Sequence, residues 1–180
     1  IIALAIFLER LWWLRRNFVI AEPLFIRVYK LITDNKLTEA LIISEEADKP
    51  MGQIMAQIIR HNQQERSTIK EAAEETGKFV GAKLEQRIDI IGTCAAVSPL
   101  LGLLGTVIGM IKAFQQVEHA GLGNPSVFAS GIWQALITTA IGLSVAIPSY
   151  IGYKLLLGKV DLLLAEMEDK ALQIVDLVVQ

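Results

Sequence analysis

The chain has 180 residues, 53% of them hydrophobic and 20% charged, with a net charge of −2 and a mean hydropathy of +0.46. A soluble domain of this size needs more polar surface to cover its core, and no basic stripe with interleaved aromatics marks a nucleic-acid binder. Its one cysteine, Cys94, excludes an intrachain disulfide and reads as a small packing residue.

Residues 1–14 are apolar except for Glu9 and Arg10. Arg15 and Arg16 follow this run, whereas a cleavable signal carries its basic residues in front. The segment is expected to be the inner half of a first spanning helix, with its outer half absent from the sequence and Glu9–Arg10 as an interfacial pair.

Arg15 and Arg16 mark a cytoplasmic face by the positive-inside rule, so residues 15–88 are expected to be a cytoplasmic helical region. Leu24, Val28, Leu31 and Ile32 keep helical spacing, Asp34-Asn35 breaks it, and Leu37 to Glu46 resumes it. Pro50 can open the next helix at its first position, with Met51, Ile54, Met55, Ile58 and Ile59 on one side. Thr68 and Glu71 have the spacing of a capping box, and no proline follows until Pro99. One helix of about 50 residues is therefore expected from Thr68 to Val117. It would be about 75 Å long against a hydrocarbon core of about 30 Å, so its first part should project into the cytoplasm.

Residues 90–111 and 120–153 carry no charged side chain, and each run is long enough to cross a bilayer. They predict a second span at 89–117 and a third at 127–153. The periplasmic loop between them, 118–126, has no lysine or arginine, and Asn124 can cap a helix that starts at Pro125. Lys154 and Lys159 place the C-terminus inside; Lys112 is the one misfit and can snorkel to the interface. The tail, 154–180, repeats Val160, Leu163, Met167, Ala171, Ile174 and Val178 at steps of three and four. Its antiparallel partner is the stripe Ile69, Ala73, Thr76, Val80, Leu84 and Ile88. The fold expected is an all-α membrane protein of three transmembrane helices. Two of them extend into a cytoplasmic helical domain, with the N-terminus periplasmic and the C-terminus cytoplasmic.

Ser98, Gly102, Gly105 and Gly109 line one face of the second span; Ala135, Thr138, Gly142, Ala146 and Ser149 line one face of the third. Small faces let helices approach closely, within a subunit or between subunits, and ordinary packing accounts for them as well. Thr106 and Thr139 either bond back to their own helices or line a proton path. Gln134 suits an interhelical hydrogen bond, and Pro99 and Pro148 can kink their spans. No carboxylate, histidine or lysine lies mid-membrane in either long span. A charge moved across the membrane is worth about 2.3 kcal/mol per 100 mV, so an ion-driven machine needs a group that takes and releases the ion. Here another chain would have to supply it. There is no HExxH or GxSxG, and His61 and His119 fall on opposite sides of the expected topology, so the chain does not read as an enzyme. No cofactor or metal is expected.

The run Ser98-Pro99-Leu100-Leu101-Gly102-Leu103-Leu104-Gly105-Thr106-Val107 resembles the (A/S)PLLGLLGTV signature of the ExbB/TolQ/MotA family. Gly131-Ile132-Trp133-Gln134-Ala135-Leu136-Ile137-Thr138-Thr139-Ala140-Ile141-Gly142-Leu143, followed by Ala146-Ile147-Pro148, resembles its GI..AL.TTA.GL..AIP. Order and spacing hold over about 50 residues, and the fit favours ExbB-like members over TolQ, and both over MotA. The resemblance implies a homo-pentamer in the bacterial inner membrane around the transmembrane helices of two ExbD-like subunits, the membrane aspartate of which binds the proton. It implies that the assembly energises a TonB-like protein for outer-membrane uptake of iron chelates or vitamin B12. The family's threonines map to Thr106 and Thr139. A TolQ-like subunit serving outer-membrane integrity and a non-conducting scaffold are the alternatives. Some members carry glutamate where this chain has Gln134; an amide cannot ionise, so hydrogen bonding is the role left to it.

Overall fold

The structure, a computed structural model, describes residues 2–120 and 125–179. They form eight helices and no strand: α1 (Ile2–Trp13), α2 (Arg16–Val19), α3 (Glu22–Thr33), α4 (Leu37–Glu46), α5 (Pro50–Arg60), α6 (Arg66–Glu85), α7 (Ile88–Ala120) and α8 (Pro125–Val178). The chain divides into two compact units. One comprises Ile1–Phe7 with Arg87–Leu155, the other Leu8–Gln86 with Leu156–Gln180.

The second unit is a small helical domain with an apolar core. Its local structure follows the sequence pattern closely. Asn35 takes a left-handed φ of 59° at the expected break, and Pro50 opens α5. Met51, Ile54, Met55, Ile58 and Ile59 are all buried, because α5 packs against α3, α4 and α6 and has no free apolar side. Gly52 is required at that crossing: a Cβ there would stand 2.7 Å from the Ser44 carbonyl oxygen. Ile69, Ala73, Val80 and Leu84 on α6 are buried, as are Val160, Leu163, Met167, Ala171 and Ile174 on the tail of α8. Leu164 packs against Gly81, and Arg66 holds Asp176 at 2.6 Å, so the expected antiparallel pairing forms here.

Two expectations for α6 are corrected. It begins at Arg66, with Glu65 in extended geometry at the N-cap and the Ile69 N–H donating to the Glu65 carbonyl at 3.1 Å. Thr68 is therefore inside the first turn and caps nothing; the ion pair from Arg66 to Asp176 holds a turn that starts two residues earlier. Nor is there one helix from Thr68 to Val117. The helix stops at Glu85, Gln86 turns extended at ψ 136°, and Arg87 takes φ 69°. A left-handed non-glycine residue costs about 1–2 kcal/mol. No glycine or proline marks the break, which coincides with the boundary between the units. The second span accordingly belongs to α7 alone. The helix itself continues to Ala120, and its stretch apolar enough to cross a membrane is Ile88–Gln116. The cap expected at Asn124 lies outside the described residues.

Among the described residues, α7 and α8 are the two helices long and apolar enough to cross a membrane, over Ile88–Gln116 and Ala129–Val178. In the first unit their outer faces expose Leu100, Leu101, Leu104, Leu136, Ile141 and Ile147, apolar surface that suits lipid or protein partners rather than water.

An ion cluster ties α2 and α3 to the α8 tail within the second unit. Arg16 Nε donates to Glu166 at 2.9 Å, and Arg16 Nη2 to Glu22 at 2.8 Å. Lys170, buried beneath the ring of Phe25, donates to Glu22 at 2.8 Å. That hydrogen bond from Lys170, reinforced by both cations, holds the Glu22 carboxyl below its usual 4.5. A carboxyl lowered on folding stabilises the fold above its unfolded pKa and loses that contribution as pH falls through the lowered value. Helicity of the solubilised protein followed by circular dichroism should fall on acidification below about pH 4.5. The fall should be shallower in Lys170→Gln, which starts from lower stability at neutral pH.

Candidate functional site

The site is the seam between α7 and α8 in the first unit. A helix pair can close to backbone contact only where neither partner projects a large side chain, and small residues meet here from Ser98 to Ala113 on α7. A Cβ added to Gly142 would stand 2.7 Å from the Ser98 carbonyl oxygen and 3.1 Å from Cα of Gly102. One on Gly102 would meet Cα of Thr139 and the Thr138 carbonyl at 3.1 Å. One on Gly109 would meet Ala135 at 3.1 Å, and Gly131 sits against Ala113. Residue numbers rise on α7 as they fall on α8, so the two helices are antiparallel neighbours. The small faces expected from Ser98, Gly102, Gly105, Gly109, Ala135, Gly142 and Ala146 include residues that face each other within one chain: Ala135 and Ala146 are almost fully buried, as are Gly102, Gly109 and Gly142. Pro99 and Pro148 lie inside uninterrupted helices.

The hydroxyls divide into two kinds. Thr93, Ser98, Thr106, Thr138, Ser144 and Ser149 all donate to carbonyls of their own helix, at 2.6–2.8 Å. This is how a hydroxyl is satisfied where water is scarce. Thr139 differs. Its Oγ1 reaches across the seam to the Gly102 carbonyl, at 3.4 Å. That is beyond the usual 2.5–3.0 Å of an O–H···O bond, so the bond is weak. Of the two threonines singled out from the sequence, Thr106 is thus satisfied by Leu103 of its own helix, while Thr139 is held loosely and can take a better partner.

Rotation decides which polar groups share a side. At about 100° per residue, Gln134 and Thr139 are about 140° apart, and the Ala135–Gly142 line falls between them. They flank the seam on opposite edges, and Gln134 is exposed. Thr106 and Thr139 each lie about 60° past their own seam in the same rotational sense. On antiparallel helices that brings both to the same side of the hairpin. The structure therefore groups Thr106 with Thr139 and separates Gln134 from them. The sequence reading had counted Thr138 as one more small residue. It fills the space beside Gly105: a Cβ there would stand 2.6 Å from Thr138 Cβ and Oγ1, as nearer the other end of the seam one on Gly92 would stand 3.0 Å from the Tyr153 ring.

Comparison with known proteins agrees with these motifs. Residues 46–169 match the model of the MotA/TolQ/ExbB proton channel family. The chain is 30% identical over 155 residues to an ExbB homologue of Methanothermobacter thermautotrophicus, covering 86% of this chain and 55% of that protein. It is 32% identical over 162 residues to an ExbB-like biopolymer transport protein of Synechocystis, covering 88% and 63%. To the biopolymer transport protein ExbB of Salmonella typhimurium it is 30% identical over 156 residues, covering 77% and 64%. The chain thus spans between about half and two thirds of the length of these relatives.

Gly142→Ala should separate the helices, because the new methyl meets a carbonyl oxygen and backbone rather than a side chain that can move. A loss of about 1–3 kcal/mol is expected, read as a lower midpoint in thermal unfolding of the detergent-solubilised protein. Gly158→Ala on the α8 tail, where an added Cβ meets nothing within 4 Å, should instead be neutral or stabilising by up to about 1 kcal/mol.

Proposed function

Because the chain belongs to the MotA/TolQ/ExbB proton channel family, we propose that it is the ExbB-type wall of a proton-driven motor in the bacterial inner membrane. As a member of that family it is a membrane channel subunit and not an enzyme. In this reading α7 and the first part of α8 cross the bilayer beside a first span that includes α1. The N-terminus is periplasmic, and the domain built from α2 to α6 and the α8 tail is cytoplasmic. Support comes from the ends of the apolar runs. Arg15 lies over Trp12, and Lys154 over Tyr150 and Tyr153, the aromatic–basic pairing typical of a membrane interface.

The observation that carries the mechanism is the loosely held Thr139 hydroxyl in spans with no carboxylate, histidine or lysine at mid-membrane. The carrier is the membrane aspartate of an ExbD-like partner enclosed by a homo-pentamer of this chain. A hydroxyl is both donor and acceptor. Thr139 donates to that aspartate when it is ionised and accepts from it when it is protonated, so both states are tolerated at one position. Thr106 stands on the same side and lines the same path. Gln134 cannot exchange a proton and serves as a hydrogen-bonding residue on the other edge. The energy is delivered to a TonB-like protein for uptake of iron chelates or vitamin B12 through the outer membrane. A TolQ-like role in outer-membrane integrity is the second reading. It draws on 46% identity over 70 residues to the Tol-Pal system protein TolQ of Haemophilus influenzae, a match that covers 39% of this chain.

Thr139→Val keeps the branched shape and removes the hydroxyl. Energised uptake should be lost while the complex still assembles, and normal uptake in this variant would overturn the role assigned to Thr139. Gln134→Ala should be the milder of the two. Native mass spectrometry of the purified full-length protein should give five copies; a monomer would count against the channel assembly.

A further inference from the structure

The Thr139 hydroxyl can face a partner only if α8 is held at one rotation about its axis, and a seam of glycine and alanine offers little to hold it. Methyl groups and bare backbone are nearly smooth. Two larger side chains of α8 break this line, Tyr153 over Gly92 and Thr138 against Gly105, and Thr138 is the one adjacent to Thr139. Thr138 Cβ and Oγ1 occupy the space a Gly105 side chain would need, each 2.6 Å from where that Cβ would be, and its Cγ2 is at 3.1 Å. Its own hydroxyl donates to the Ala135 carbonyl at 2.8 Å, which locks the side chain in that notch. Consecutive helical residues are about 100° apart. With Thr138 seated in the seam, Thr139 is necessarily at its edge, with Oγ1 toward Gly102.

We propose that Thr138 is a positioning residue: seated in the Gly105 notch, it fixes the rotation of α8 that presents the Thr139 hydroxyl. The function of the hydroxyl rests on the reading above; the positioning itself does not. Shape is the requirement, because the Thr138 hydroxyl is turned back on its own helix and its bulk is what fills the notch. An ordinary contact between carbons is about 3.5–4.0 Å, so a methyl on Gly105 would force α8 outward by about 1 Å. A misplacement of that size can cost about a hundredfold in rate.

The test uses the full chain in its native membrane, carrying Cys94→Ser so that a Thr139→Cys substitution provides the sole thiol. The rate of alkylation of that thiol by a water-soluble maleimide reports its orientation. Thr138→Val should leave the rate unchanged. Thr138→Gly and Gly105→Ala should each shift it. The pair Gly105→Ala with Thr138→Gly, which moves the bump to the facing helix, should bring the rate back toward that of the parent. An unchanged rate in Thr138→Gly would overturn the proposal, as would a Thr138→Val variant that behaves like Thr138→Gly, or a pair no closer to the parent than Gly105→Ala alone. Proton-driven uptake, measured with Thr139 intact, should follow the same order, with about a hundredfold loss in Gly105→Ala. Should the thiol follow that order and uptake not, the positioning stands and the role given to the Thr139 hydroxyl fails.

Discussion

Backbone-to-backbone contact between α7 and α8 is the constraint on which the rest of the membrane unit depends. In lipid there is no hydrophobic force to press helices together, so they associate through close packing. Gly142 against Ser98 and Gly102 supplies that packing at distances that exclude even one methyl group. Once the backbones meet there, the remaining pairs along the seam follow from the antiparallel run of the two helices. Larger apolar side chains such as Leu100, Leu136 and Ile147 are left on the outside, where they suit lipid or protein partners.

The same contact sorts the polar groups. A hydroxyl in hydrocarbon needs a partner, and the nearest one is usually a carbonyl one turn back. Ser98, Thr106, Thr138, Ser144 and Ser149 all take that solution. Thr139 sits at the edge of the seam and takes a longer bond to the facing helix instead. Weak retention in place and a rotation fixed by its neighbour are what a group needs if it is to meet a titrating carboxylate on another chain. Outside the seam, the second unit is held by an ordinary apolar core and by the Arg16–Glu22–Lys170–Glu166 cluster. Its pairs are mostly exposed, so they contribute less than the core does.

Sequence legibility followed the range of the interaction concerned. The stripes of α5, α6 and the α8 tail could be read directly, because burial repeats at the helical period and Met55, Leu84 and Met167 show it without reference to any neighbour. The break at Asn35 and the start at Pro50 were readable because asparagine tolerates the left-handed region and proline fixes its own φ. The stop at Gln86–Arg87 was not: neither residue disfavours a helix, and a left-handed arginine persists only where its surroundings offset the strain. The capping box failed for a similar reason. Arg66 reaches Asp176, 110 residues away, and that pair lies outside any local spacing rule.

By itself the sequence determined an all-helical membrane chain, the two apolar helices, the small faces and the absence of an ion carrier in their spans. Each of these depends only on residue type and helical period. The tertiary structure alone decided that the two small faces meet each other, that Thr138 fills the space of Gly105, and that Thr106 and Thr139 share a side from which Gln134 is excluded. Those outcomes depend on the register and rotation of one helix against another. The set of small residues permits more than one such pairing, and only the packed distances select among them.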